Sequence, residues 1–251
     1  MKFRFKAFGL HLLASSVALS AILGGLYLGW YRWPGWILTD VTEVVMVMVG
    51  VDIVLGPTLT FVVARSSKPR RELTRDIAII VAVQLCALGY GTVSLWNGRP
   101  IYYAFSESVL QLVQAYDIDD AEATLGRQKN PELAPHWYSL PRWVWAPLPQ
   151  DTDERAKIVQ SAISGGDDVI SMPRYFKPWG EGLNGLRANL KKVDGVGYFA
   201  PKEKKALKER MRAAGFSTDE LNAMPLTGRG HPLLAVIDPA SATIKAILRA
   251  N

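Results

Sequence analysis

Three long apolar stretches crowd the N-terminal part of the sequence, and no other feature constrains the fold so tightly. Residues 9–31 (GLHLLASSVALSAILGGLYLGWY), 41–64 (VTEVVMVMVGVDIVLGPTLTFVVA) and 77–96 (IAIIVAVQLCALGYGTVSLW) each reach the roughly 20 residues that a helix needs to cross the hydrocarbon core of a bilayer. Apolar residues make up 49% of the chain, an ordinary fraction. It is therefore their segregation that predicts three transmembrane helices.

The first stretch has the basic start of a secretory signal, Lys2, Arg4 and Lys6, and Ala18-Leu19-Ser20 resembles a cleavage site. Its apolar run continues past Ala21 to Trp30 and Tyr31, longer than the roughly 7–15 residues of a signal core, so an uncleaved anchor is expected. Basic residues then orient the bundle, because Lys and Arg near span ends stay in the cytoplasm. They cluster in residues 1–8 and in the loop RSSKPRRELTR (Arg65, Lys68, Arg70, Arg71, Arg75), whereas RWPGWILTD between the first two spans has only Arg32. The expected topology is a cytoplasmic N-terminus (1–8), a three-helix membrane region (9–96) and a domain on the outer side (97–251). Trp30, Trp33, Trp36, Trp96, Tyr102 and Tyr103 fall at the ends assigned to the outer face, where interfacial aromatics belong.

Net charge is +6, and residues 1–76 account for most of it, with nine Lys/Arg against five Asp/Glu. The basicity thus follows topology, and no nucleic-acid partner is expected in the absence of a basic stripe with interleaved aromatics. Cys86 is the only cysteine, which removes dithiol chemistry and Cys-rich metal sites. His11, His136 and His231 are far apart in sequence, so neither a metal site nor a cofactor is expected.

Helices in lipid associate through close approach at small residues and through interhelical hydrogen bonds. Each span offers a stripe of that kind: Ser16, Ser20 and Gly24 on the first, Asp52, Gly56 and Thr60 on the second, Gln84, Ala87 and Gly91 on the third. A carboxylate in mid-span costs about 2.5–3.5 kcal/mol on insertion scales, so Asp52 should face the bundle interior with a partner or hold a proton. Depth along the helices offers Tyr90 as that partner. Pro57 has no N–H for the carbonyl of Ile53, and the sequence predicts a kink there, with Thr58, Thr60 or the Gln84 amide available to satisfy freed backbone groups. Asp52, Gly56, Pro57, Thr58, Thr60, Gln84 and Tyr90 read together as one buried polar cluster. A packed bundle explains the cluster, and His11 reads as an interfacial or interhelical hydrogen-bonding group.

Beyond Asn97 the pattern predicts a small α+β domain. RPIYYAF reads as a strand, and SVLQLVQAYDI as a strand or a helix. NPELAPHWYSLPRWVWAPLPQ (130–150) is dense in Pro and Trp and reads as extended loop, with aromatics for a partner, for the domain or for the membrane interface. DTDERAKIVQSAISGG opens on a capping box, Asp151 to Glu154, and PKEKKALKERMRAAG has Pro at its start and Gly after its end, so both predict helices. HPLLAVIDPASATIKAIL predicts a closing β-hairpin. No nucleophile triad, metal-ligand cluster or phosphate-binding Gly loop stands out, so no catalytic residue and no enzyme activity are expected.

One set of residues resembles a known family. FKAFGLHLLAS, VDIVLGPTLTFVV with Lys68 soon after, RDIAIIVAVQLCALGYG and NGRP are similar to the signature of the TfpX/TfpZ family of type IV pilin accessory proteins. The matching positions are Lys6, Ala7, His11 and Leu12; Asp52, Gly56, Pro57, Leu59 and Thr60; Asp76, Gln84, Tyr90 and Gly91; and Arg99 and Pro100. The resemblance covers residues 4–105 and is only general beyond. It implies a multi-pass protein of the bacterial inner membrane, surrounded by membrane lipid and with residues 97–251 as a periplasmic domain, that acts on a type IV major pilin through its membrane helix or globular head. It implies no catalytic residues. The alternative from the residues alone is a membrane sensor or small carrier that uses the intramembrane acid Asp52.

Overall fold

A computed structural model describes residues 1–218 and 221–249. The chain forms two compact units, Met1–Arg32 with Val41–Gly98, and Trp33–Asp40 with Arg99–Asn251. Residues 219–220 and 250–251 of the expected outer domain lie outside the described residues.

The first unit consists of three helices, Lys2–Tyr31, Thr42–Val63 and Arg70–Asn97, each long and apolar enough to cross a membrane. The first ends in a π turn, Tyr27–Tyr31, and the second carries another over Gly50–Leu55. Their outward faces are apolar, with Leu10, Leu13, Val17, Met46, Val54, Ile79, Leu85 and Val93 exposed. Asp52, Thr60 and Gln84 are buried between them. This inverts the arrangement of a protein folded in water, where ionisable and amide groups are mostly outside.

The packing face of the first helix differs from the stripe the sequence suggests. Ser20 is exposed, while Leu19 and Leu26 are buried, so the helix presents a face centred on Leu19. The third helix buries Gln84, Gly91 and Leu95. Aromatic and polar contacts fasten both ends of the unit. Tyr31 Oη donates to the Leu95 carbonyl at 2.6 Å and Trp30 meets Trp96 edge-on at 5.0 Å. At the opposite end Phe61 receives the rings of Phe5 and Phe8 at 5.1 and 6.2 Å.

The second unit is built on a seven-stranded mixed sheet. Its strands are β1 (Pro100–Ser106), β2 (Val109–Gln114), β3 (Arg142–Trp145), β4 (Lys177–Pro178), β5 (Asn222–Thr227), β6 (Leu233–Ile237) and β7 (Ile244–Arg249), in the order β4-β3-β1-β2-β5-β6-β7. The β1/β3 and β2/β5 pairs are parallel and the others antiparallel. Every residue of β1 is buried, because both faces of the sheet are covered. Strand alternation sends Tyr103 and Phe105 to one core with Leu110, Leu112, Leu186 and Leu226. It sends Tyr102 and Ala104 to the other, with Val113, Val144, Ile158 and Phe176.

SVLQLVQ is a strand, not a helix, paired with β1 as a hairpin. The two predicted helices form as Thr152–Ile163 and Pro201–Ala213, and the closing hairpin forms as β6 and β7. Asp151 accepts from the Glu154 N–H at 2.8 Å, and Glu203 accepts from the Ala200 N–H at 2.8 Å. The segment 130–150 is not all loop. Four residues between Pro141 and Pro147 are free of proline and pair with β1, placing Trp143 against Tyr103 with ring centroids 4.7 Å apart. Strand β5 contains Pro225, a residue that argues against a central strand. Its ladder with β2 uses only Leu226 and Thr227, beyond the proline.

The segment that reads as a plain connection between the first two spans is part of this unit's core. Gly35–Thr39 forms a short helix, and Leu38 is completely buried among Phe105, Leu112, Leu226 and Leu233. Gly230 N–H donates to the Leu38 carbonyl at 2.8 Å and His231 N–H to the Ile37 carbonyl at 3.2 Å. Approach this close requires glycine, since a Cβ at Gly228 would strike the Leu38 carbonyl oxygen and one at Gly230 that of Ile37.

Candidate functional site

The polar residues singled out in the apolar stretches meet in the helical unit. The buried positions of the second helix are Met48, Asp52, Gly56 and Thr60, a four-residue repeat that buried Ala64 continues at the C-cap, together with Pro57. An α-helix turns about 100° per residue, so each four-residue step drifts by about 40° and the repeat should wind off the contact face. The π turn over Gly50–Leu55 lies in the middle of the repeat, and its wider i→i+5 bonding takes up part of that drift. The five positions consequently stay inside.

The same π turn changes which carbonyl Pro57 leaves unpaired. Gly56 N–H already donates to the carbonyl of Val51, five residues back. In that register the next donor would serve the Asp52 carbonyl, and the next residue is proline, which has no N–H. Gln84 supplies the missing donor from the third helix: its Nε2 lies 3.3 Å from the Asp52 carbonyl oxygen and 3.4 Å from Asp52 Oδ1. One amide thus serves both the main chain and the side chain of Asp52. Gly56 makes room for it, because a Cβ there would overlap the Gln84 amide group. One turn pair further along, Gly91 does the same for the side chain of Met48.

His11 extends the seam onto the first helix. Its Nδ1 lies 2.6 Å from Thr60 Oγ1, a hydrogen bond between helices. At the end of the second helix Lys68 pairs with Asp76, and Arg75 Nε lies 3.7 Å from the same carboxylate. Two positions of the resemblance, eight residues apart, are thereby joined across the turn between the second and third helices.

Two expected members are outside the seam. Tyr90 is 79% exposed and cannot be the partner of Asp52. Its depth matches, but six residues after Gln84 put it about 120° away round the helix, whereas Gly91, seven residues on, returns to the same face. Thr58 is likewise exposed, being two residues from both Gly56 and Thr60. Lys6 is exposed, and Arg99 and Pro100 belong to the other unit, buried at the start of β1. Sequence reasoning missed Met48 and Phe61. Met48 was legible, since it continues the four-residue repeat by one step.

Asp52 Oδ2 and Gln84 Oε1 are buried and have no hydrogen-bond partner. Among the described residues no three His, Cys, Asp or Glu side chains converge as a metal site. The arrangement holds one carboxyl group, one amide and one imidazole–hydroxyl pair, each linking two helices. Such groups join neighbouring helices by hydrogen bonds.

No family model and no solved structure matches the chain. It is similar to the fimbrial assembly protein of serogroup E1 of Dichelobacter nodosus, 23% identical over 241 residues, which cover 94% of this chain and 91% of that protein. The serogroup I protein of the same organism is 22% identical over 241 residues, with the same coverage. The protein of serogroups C1 and C2 is 27% identical over 116 residues, 46% of this chain and 88% of that protein. The first two similarities, at 94% of the chain, take in both the helical unit and the sheet unit.

Proposed function

We propose that this chain is a non-enzymatic accessory protein of the TfpX/TfpZ kind, embedded in the bacterial inner membrane, that assists the stability or assembly of a type IV major pilin. The observation that carries the proposal is the similarity to fimbrial assembly proteins over 94% of the chain, since it spans both units. The inverted distribution of the helical unit supports the membrane placement. Apolar side chains such as Leu13, Val54 and Leu85 face outward, and Asp52, Thr60 and Gln84 face inward. The clustered Lys and Arg of residues 1–8 and 65–75 support a cytoplasmic N-terminus and a periplasmic sheet unit.

In this reading the helical unit meets the pilin's membrane helix and the sheet unit meets its globular head. Neither task needs a reaction: the seam's small residues and buried amide, carboxyl and hydroxyl groups hold this chain's own helices together, which leaves the outward apolar faces for the pilin's helix. Deleting the gene should lower the cellular level of the major pilin, surface pili and twitching motility. Unchanged values of all three would sink the proposal.

A further inference from the structure

The sheet unit contains a cleft of about 790 Å³ that lies apart from the helical seam. It falls in the size range of ligand sites, roughly 300–1,000 Å³. Its lining includes Phe105, Trp145 and Phe176, with Pro147, Leu148 and Pro149 along one wall. Phe105 and Phe176 are buried, and Trp145 is partly so. Hydrogen bonds fix the walls. Asn130 Nδ2 donates to the Phe176 carbonyl at 2.6 Å and to the Pro173 carbonyl at 3.2 Å, while Ala146 N–H continues the ladder to Phe105 at 2.8 Å.

The charges around this interior, to which Asn130, Gln150, Tyr175 and Asn189 also contribute polar groups, are unbalanced. Lys129, Arg155, Arg174 and Lys177 line the cleft against a single carboxylate, Glu107. Arg174 is neutralised by Glu122 at 2.7 Å. Lys177 has only a loose contact with Glu181 at 3.9 Å, and its Nζ sits 5.4 Å from the centre of the Trp145 ring. Lys129, Arg155 and Lys177 are exposed and come from three different elements, the helix Asp120–Lys129, the helix Thr152–Ile163 and β4. Positive charge of this sort over an aromatic and proline-lined interior complements a ligand that carries carboxylates and apolar side chains together.

We propose that this cleft binds an acidic, apolar-bearing peptide segment of a partner protein. Flexible lysine and arginine side chains tolerate variation in where the carboxylates fall, and two wall residues are prolines, which offer no N–H to fix one ligand shape. A peptide fits those features better than a single shaped metabolite. Only in taking the partner to be a protein does the inference rest on the fimbrial reading above; the chemistry is that of the cleft.

The test uses full-length protein purified in detergent and a fluorescein-labelled peptide of alternating glutamate and leucine, with the glutamine–leucine peptide as control. Anisotropy should show binding of the glutamate peptide, at least tenfold weaker for the control, and weakening as ionic strength rises from about 0.05 to about 0.5 M. The Lys129→Glu/Arg155→Glu/Lys177→Glu protein should lose at least tenfold in affinity. Because Lys177 touches Trp145, the Lys129→Glu/Arg155→Glu protein is measured beside it and should lose at least threefold, with an unchanged circular dichroism spectrum. No binding of the glutamate peptide, equal binding of both peptides, or full affinity in the charge-reversed proteins would overturn the proposal. None of these results depends on pili, so failure here is separable from failure of the fimbrial reading, which the gene deletion decides.

Discussion

In the sheet unit the large fully buried side chains include Tyr102, Phe105, Leu110, Leu226 and Leu234, whereas the buried middle of the helical unit holds Asp52, Thr60 and Gln84 beside Met48 and Leu19. The sheet unit hides apolar surface from water, and dozens of dispersion contacts share the work. The helical unit has no such reservoir if lipid surrounds it, because leucine gains little by leaving lipid for a helix interface. Its order rests on a few close approaches and on hydrogen bonds that nothing else can replace. The sheet unit should therefore respond to lost volume, and the helical unit to added volume and to lost polar partners.

The largest effect is expected from lost volume in the sheet. Leu226 is fully buried between β2 and β6, and Leu226→Ala should cost about 2–5 kcal/mol. Thermal unfolding of the purified protein, read by near-ultraviolet circular dichroism and by protease sensitivity of the sheet unit, gives the measurement. If the comparison holds, the helical unit keeps its protease protection. Equal loss of protection in both units would show that they unfold as one body and would break the contrast.

The reverse experiment adds volume to the helices. Gly56→Leu would drive a side chain into the Gln84 amide and Gly91→Leu into Met48, while at Gly89, two residues before Gly91, an added Cβ meets nothing within 4 Å. Overpacking typically costs about 1–3 kcal/mol. Accumulation in membranes should fall severalfold for the first two and stay level for Gly89→Leu. Normal accumulation of Gly56→Leu would mean that the second and third helices do not pack at the seam.

The two units also differ in how far sequence alone reaches. In the sheet unit the continuous apolar, β-branched and aromatic runs PIYYAFS and LLAVI, the Asp151 cap and the Pro201 start announce their elements because each signal is local. What escapes is non-local. RWVW becomes a strand only because β1 offers an open parallel edge, NAMPLT carries a proline that is harmless only where its ladder begins late, and GWILT is core only because Gly228 and Gly230 let it approach. In the helical unit composition announces the helices, and spacing announces Asp52, Gly56, Thr60, Gln84 and Gly91. The partner of Asp52 was misread because depth is one coordinate and angle is another. The π turn, invisible in composition, decides which main-chain oxygen needs Gln84.

The smallest effects concern single polar groups, and they sharpen the comparison most. Asp52→Asn keeps an oxygen to accept from Gln84 Nε2 and exchanges the titratable second oxygen for an NH2 of nearly the same size, so accumulation should change little. Asp52→Leu leaves the amide with the main-chain carbonyl alone and should cost about 1–3 kcal/mol, the usual penalty for a buried polar group stripped of a partner. Tyr90→Phe should cost nothing, since that ring faces outward. The three variants separate packing from sensing, because a bundle held only by hydrogen bonds treats asparagine as nearly native at every pH. A fimbrial phenotype of Asp52→Asn that varies with pH while the protein accumulates normally would instead assign the carboxyl proton a role of its own. A loss in Tyr90→Phe equal to that in Asp52→Leu would show that the third helix is turned by about 120° from the phase that Gln84 and Gly91 define.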